Sequence, residues 1–117
     1  MSVIDPIVID ERVAVPDAEV LLLVPDNLEY FKGHFPGVPI VPGVVQIKWA
    51  MAIANRCLKV AGEFGGMEAL KFQQVMGPNI QVTLKLKYRT ETDKLHFSFQ
   101  SDRGRYSSGR LLLRRTS

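Results

Sequence analysis

A chain of 117 residues, 46% of them hydrophobic, makes one domain with a small core, residues 1–117 as a single unit. Its net charge of +3 comes with no nucleic-acid module and no interleaving of aromatic with basic residues, which argues against nucleic acid as a partner. No apolar run approaches the ~20 residues of a membrane span, and the acids in Met1–Glu11 do not fit a basic secretory leader. The one cysteine, Cys57, cannot form an internal disulfide, so the expected compartment is the reducing cytoplasm. No Cys/His spacing suggests a metal, and no glycine-rich phosphate loop occurs.

Pro6 to Val15 reads as a strand, with Ile7, Ile9 and Val13 alternating roughly around Asp10-Glu11-Arg12; Pro16-Asp17 turns the chain. Ala18 to Val24 is a second strand. It has so few polar residues that burial on both faces, or at a subunit interface, is expected. Leu28 to Phe31 reads as a short helical turn with Asp26 or Asn27 as its N-cap. A stiff stretch follows, Gly33-His34-Phe35-Pro36-Gly37-Val38-Pro39-Ile40-Val41-Pro42-Gly43. Proline locks φ and glycine permits φ > 0, so this composition fits a loop that holds one side chain in place. That side chain is His34, since the other histidine, His96, falls in a downstream strand. An imidazole titrates near neutral pH, which makes His34 the first candidate for proton transfer. A loop histidine hydrogen-bonded to nearby backbone is the competing reading.

Gly43 or Val44 to Val60 reads as the one long helix, roughly 25 Å at 1.5 Å per residue. Gly62 is its expected stop, and Lys59 suits the C-terminal dipole. The helix is apolar almost all round, a pattern expected of an enclosed helix. Lys48, Asn55 and Lys59 share one narrow stripe, and Ala50, Ala52 and Ala54 permit close approach of a sheet. Glu63 to Gly66 reads as a turn and Leu70 to Met76 as a strand, broken at Gly77-Pro78-Asn79. Ile80 to Thr90, Lys94 to Ser101 and Tyr106 to Arg114 are strands, separated by turns at Thr92-Asp93 and Asp102-Arg103-Gly104. The order predicts an α+β domain. Arg103, Arg105, Arg110, Arg114 and Arg115 crowd its end. They read either as a solvated face or as a docking surface for an acidic partner.

Gly33-His34-Phe35-Pro36 followed by Pro39-Ile40-Val41-Pro42-Gly43-Val44 resembles the signature of hot-dog-fold β-hydroxyacyl-acyl-carrier-protein dehydratases. Pro42-Gly43-Val44-Val45-Gln46-Ile47-Lys48-Trp49-Ala50 looks closer still to the dehydratase-like proteins of aryl-polyene biosynthesis. The dense match runs from about Tyr30 to Ala54. A weaker echo lies at Leu70-Lys71-Phe72 through Gly77-Pro78-Asn79, where the family usually carries Pro-Gly-Asp. The resemblance implies a hot-dog fold, an antiparallel sheet wrapped around one long central helix. It implies edge-to-edge pairing into a dimer of like or unlike chains. The implied substrate is a 3-hydroxyacyl thioester on the phosphopantetheine of an acyl carrier protein, with no other cofactor, in fatty-acid or polyene biosynthesis. Such carriers are acidic, which fits the arginine cluster.

Elimination of water from that thioester needs a base for the α-proton, polarisation of the carbonyl, and a proton for the leaving hydroxyl. His34 fits the first role. The Gly43 N–H at the start of the helix fits the second, with the positive dipole end behind it. Phe31, Phe35, Val38, Val45 and Trp49 would line an acyl channel, although Trp49 reads more readily as core. The third role departs from the family: Lys48 stands where the family places a catalytic acid. Either Lys48 donates as an ammonium, or His34 makes both transfers, or a partner subunit of a mixed dimer supplies the acid. Lys48 also fits a plain solvated stripe. Besides a dehydratase, the sequence leaves open a non-catalytic acyl-binding partner subunit and an acyl thioesterase.

Overall fold

The computed structural model describes residues 2–32, 39–60 and 62–114. The first strand, β1 (Ile7–Ala14), lies antiparallel to β2 (Asp17–Leu23). A short 3-10 turn at Glu29–Phe31 leads towards the helix α1 (Gly43–Leu58). Then come β3 (Glu63–Phe72), β4 (Gln81–Arg89), β5 (Lys94–Ser101) and β6 (Gly104–Arg114). They form one six-stranded sheet in the order β1-β2-β4-β5-β6-β3, antiparallel throughout. This is the hot-dog arrangement expected from the sequence.

Alternation in the strands builds the core. Val20 and Leu22 of β2, Val82, Leu84 and Leu86 of β4, and Leu95, Phe97 and Phe99 of β5 all turn to one face. They meet Val45, Trp49, Ala50, Ile53, Ala54 and Leu58 of α1 in a single apolar cluster. Phe97 and Phe99 meet edge to face, with ring centroids 6.1 Å apart.

Several expectations need correction. The second strand is buried on one face only: Ala18, Val20 and Leu22 are inside, whereas Leu21 and Leu23 are half-buried on the other face. The helix is not enclosed. Val44, Lys48, Ala52, Asn55, Arg56 and Lys59 are exposed along one side, so the predicted Lys48–Asn55–Lys59 stripe is real and wider than expected. One sheet curls around only part of a helix, and among the described residues no second layer covers the rest. The helix stops at Leu58 rather than running to Val60. Lys59 takes the left-handed conformation (φ 49°) that Gly62 was expected to supply. Gly62 (φ 101°) instead starts the turn into β3.

The third strand begins at Glu63, where a turn was expected, and ends at Phe72 rather than Met76. Pairing with β6 overrides its weak local signal. The strand accommodates Gly66 (φ 142°) and Ala69 (φ 53°) at two register shifts. The 3-10 turn is capped by Leu28, with no side-chain bond from Asp26 or Asn27. Its Glu29 N–H donates instead to the Val3 carbonyl at 2.7 Å.

Candidate functional site

The start of α1 has the chemistry that a carbonyl oxygen would use. Pro42 is the N-cap and has neither an N–H nor a capping side chain. Its carbonyl accepts from the N–H groups of Val45 (3.0 Å) and Gln46 (3.1 Å). The N–H groups of Gly43 and Val44 precede the helical ladder and have no partner among the described residues. Gly43 has no side chain to block them, and the 16-residue helix puts its positive end behind them.

A groove of about 340 Å³ opens beside Gly43, walled by Ile40, Val41, Gln46, Phe72 and the segment Gln73 to Met76. The ring of Phe72 lies against Gly43, so that a Cβ there would fall 2.5 Å from Cζ. Gln73 and Gln74 leave β3 but keep bonds from their N–H groups to the Tyr106 carbonyl (2.9 and 3.4 Å). No carboxylate lines this groove among the described residues.

Behind the groove sits a buried polar pair. Gln46 is 3% exposed and Ser107 of β6 is fully buried. Ser107 Oγ donates to Gln46 Oε1 at 2.7 Å, and Gln46 Nε2 donates to the Val41 carbonyl at 3.0 Å. The Val41 N–H donates to the Met76 carbonyl at 2.8 Å.

Of the residues the sequence singled out, Gly43 lines this groove. His34, Phe35 and Val38 lie outside the described residues. Val45 points into the core, and Phe31 is half-buried against it. Trp49 is core too, its Nε1–H donating to the Ile4 carbonyl at 3.0 Å. It lines a second groove of about 340 Å³ with Asp5, Pro6, Val8, Ala52, Ile53 and Arg56, away from Gly43. Lys48 is exposed and makes no ion pair among the described residues.

Gln46, Phe72 and Ser107 were missed. One signal was available for Gln46, the lone uncharged polar residue in the apolar run Val44–Ile47. Phe72 fell within the weaker echo at Leu70-Lys71-Phe72, but nothing local set it against Gly43, and nothing local marked Ser107, because a sheet register brings both to the helix.

The arginine cluster divides. Arg110 Nε lies 2.9 Å from Glu68 Oε1, which Lys94 Nζ also reaches at 2.7 Å. Those contacts, chiefly the Lys94 hydrogen bond, hold the Glu68 carboxyl below its usual range. Arg103 and Arg105 are exposed, and Gln74 of the groove wall donates to the Arg103 carbonyl at 2.8 Å. These two arginines therefore stand at the Gly43 end of the sheet. Cys57 is half-buried; burial and nearby Glu11 push its thiol up, which makes it a poor nucleophile. No group of three His, Cys, Asp or Glu is placed to hold a metal among the described residues, and no described helix is long and apolar enough to cross a membrane.

Residues 10–110 match the family model described as ApeI-like, ApeI dehydratase. The 3-hydroxyacyl-acyl-carrier-protein dehydratase FabZ of Erythrobacter litoralis is 35% identical over 80 residues, 60% of this chain and 52% of that protein. FabZ of Oenococcus oeni is 40% identical over 67 residues, 51% of this chain and 48% of that protein. The chain thus spans about half the length of these curated relatives. A chain in the solved dehydratase heterocomplex ApeI:P from Xenorhabdus doucetiae superposes with a TM-score of 0.88 and 32% identity, covering 95% of this chain and 99% of that one. An uncharacterized protein from Erwinia carotovora subsp. atroseptica superposes with a TM-score of 0.81 and 31% identity, covering 94% and 96%.

Proposed function

The chain belongs to the ApeI-like dehydratase family, and from that premise we propose that it eliminates water from a 3-hydroxyacyl thioester on an acyl carrier protein in fatty-acid or polyene biosynthesis. The observation that carries this reading is the pair of N–H groups at Gly43 and Val44, unpartnered among the described residues, beside a largely apolar groove. A thioester oxygen placed there gains charge as the α-proton leaves, and donors fixed in advance stabilise that charge without reorganising. His34 takes the α-proton. The Cα–H electron pair forms the Cα=Cβ bond, the β C–O bond breaks, and the hydroxyl leaves as water once it gains a proton.

The source of that last proton sets this chain apart. Lys48 stands at the acid position of the resembled family, and no acid lines the groove among the described residues. A second reading follows: the chain works as the acyl-binding subunit of a mixed hot-dog dimer in which another chain carries the acid. Two observations favour it. The outer edge of β3 has no strand partner among the described residues and displays exposed Phe64, Met67 and Phe72. The ApeI:P relative was solved as a heterocomplex. In either reading Arg103 and Arg105, at the groove end of the sheet, meet the acidic carrier.

The test is mass spectrometry of the purified protein with a 3-hydroxyacyl carrier protein, run with and without a second hot-dog subunit. Loss of one water that disappears in His34→Ala supports the enzyme. Activity only with the second subunit supports the mixed dimer. Release of free acid identifies a thioesterase, and an unaltered substrate in every arm overturns dehydration.

A further inference from the structure

We propose that Gln46 and Ser107 are positioning residues that set the direction of the Gly43 N–H, through a buried chain of hydrogen bonds from β6 to the segment before the helix. Their role in turnover rests on the dehydratase reading above. The chain runs from Ser107 Oγ–H to Gln46 Oε1 (2.7 Å), from Gln46 Nε2–H to the Val41 carbonyl (3.0 Å), and from the Val41 N–H to the Met76 carbonyl (2.8 Å). It joins three parts of the chain that are far apart in sequence: β6, the link between β3 and β4, and α1 with the approach to it.

The location argues for a purpose beyond packing. Ser107, Val41 and Met76 are 0–1% exposed, and Gln46 is 3% exposed. Polar groups this deep cost stability unless they are paired, and a well-shaped apolar pair would fill the same space. A fully satisfied buried network gives geometric definition instead.

Its placement says what is being defined. Side chains on a helix lean back towards its N-terminus, and Gln46, in the first turn, reaches back past Pro42. The carbonyl it holds belongs to Val41, two residues before Gly43. Pro42 between them has a fixed φ (−58°), and its carbonyl, in the same peptide plane as the Gly43 N–H, accepts from Val45 and Gln46, so little slack remains between the held Val41 carbonyl and that plane. On the outer side, the half-exposed Phe72 ring packs against Gly43. The restraint on Gly43 therefore comes from behind, through Gln46 and the Val41 carbonyl.

The experiment compares Ser107→Ala, Ser107→Thr and Gln46→Met with the unaltered chain, together with any second subunit that activity requires. Turnover of a 3-hydroxyacyl carrier protein is measured alongside the Gly43 amide shift and Val41 amide exchange by NMR. The expected result for the folded Ser107→Ala and Gln46→Met variants is a tenfold to hundredfold fall in kcat, on the order of the loss from misplacing one group. KM should change less than about threefold, as for an interaction made in the transition state. The Gly43 amide shift should move and Val41 exchange should quicken, while Ser107→Thr, which keeps the hydroxyl, stays near the unaltered chain. If Gly43 and Val41 resonances are unchanged in both folded variants, the positioning role is overturned. If they move but kcat does not, the pair sets Gly43 without bearing on turnover, and the positioning role in dehydration is overturned. If the unaltered chain turns over nothing, the dehydratase reading fails, and the NMR readout alone still decides whether the pair sets Gly43.

Discussion

The Phe72 ring occupies the space that a side chain on Gly43 would need: a Cβ there would lie 2.5 Å from Cζ and 2.7 Å from Cε1. The contact comes from the free end of a half-exposed side chain, so the ring can swing outward. Gly43→Ala is therefore expected to lower stability by only about 1 kcal/mol, at the low end for overpacking. Its larger effect should be on the groove, which the displaced ring would reshape. Adding Phe72→Ala should restore the lost stability. Urea unfolding of the two single variants and the double variant checks this as a double-mutant cycle.

Trp49 ties the N-terminal segment to the helix through its bond to the Ile4 carbonyl. Trp49→Phe keeps an aromatic ring but leaves that carbonyl unmatched in a part-buried place. The expected cost is about 1–3 kcal/mol. Limited proteolysis should cut before β1 sooner in the variant than in the unaltered chain. Unchanged stability and an unchanged cleavage pattern would mean that the tie is dispensable.

Lys48 is exposed on the open side of α1, so Lys48→Glu should shift stability by no more than about 0.5 kcal/mol. The informative quantity is the dehydration rate. A rise, or no change, means that the position accepts the acid of the resembled family. A large fall means that the ammonium has a role of its own. Coupled mass-spectrometric and unfolding assays separate the two effects.

His96 gives the protein a pH signature away from Gly43. It lies on β5 with Lys87 of β4 and Arg110 of β6 as its cross-strand neighbours. Burial lowers its pKa, and Arg110, Arg89, Lys94 and Lys87 lower it further. The unfolded chain then binds the proton more readily than the folded one, so stability rises with pH through this window. On acidification the loss should begin near the ordinary imidazole pKa of about 6.5 and continue down to the lower folded value. Glu68, held low chiefly by Lys94, contributes a second loss of the same sign at more acidic pH. Melting temperature against pH in His96→Gln should lose the first slope and keep the second.

The fold was legible where local chemistry was strong. β4 and β5 alternate cleanly in sequence and were placed within a residue. The helix start at Gly43 was signalled by Pro42, which cannot continue a ladder backwards. β3 was misplaced because its residues have little strand character of their own: Gly65 and Gly66 read as a turn, and only the register with β6 makes them a strand.

The candidate site divides in the same way. Gly43 could be found from the sequence because an open helix N-terminus is a local feature, carried by the residue and its neighbours. The open side of α1, the Phe72 ring over Gly43 and the Ser107–Gln46–Val41 chain were decided by tertiary structure. Ser107 is 61 residues from Gln46 in sequence, and their hydrogen bond depends on how the sheet curls around the helix. Short-range rules such as periodicity, capping and turn chemistry describe neighbours along the chain. Contacts across the core depend on which faces meet, and a backbone must fold before that is fixed.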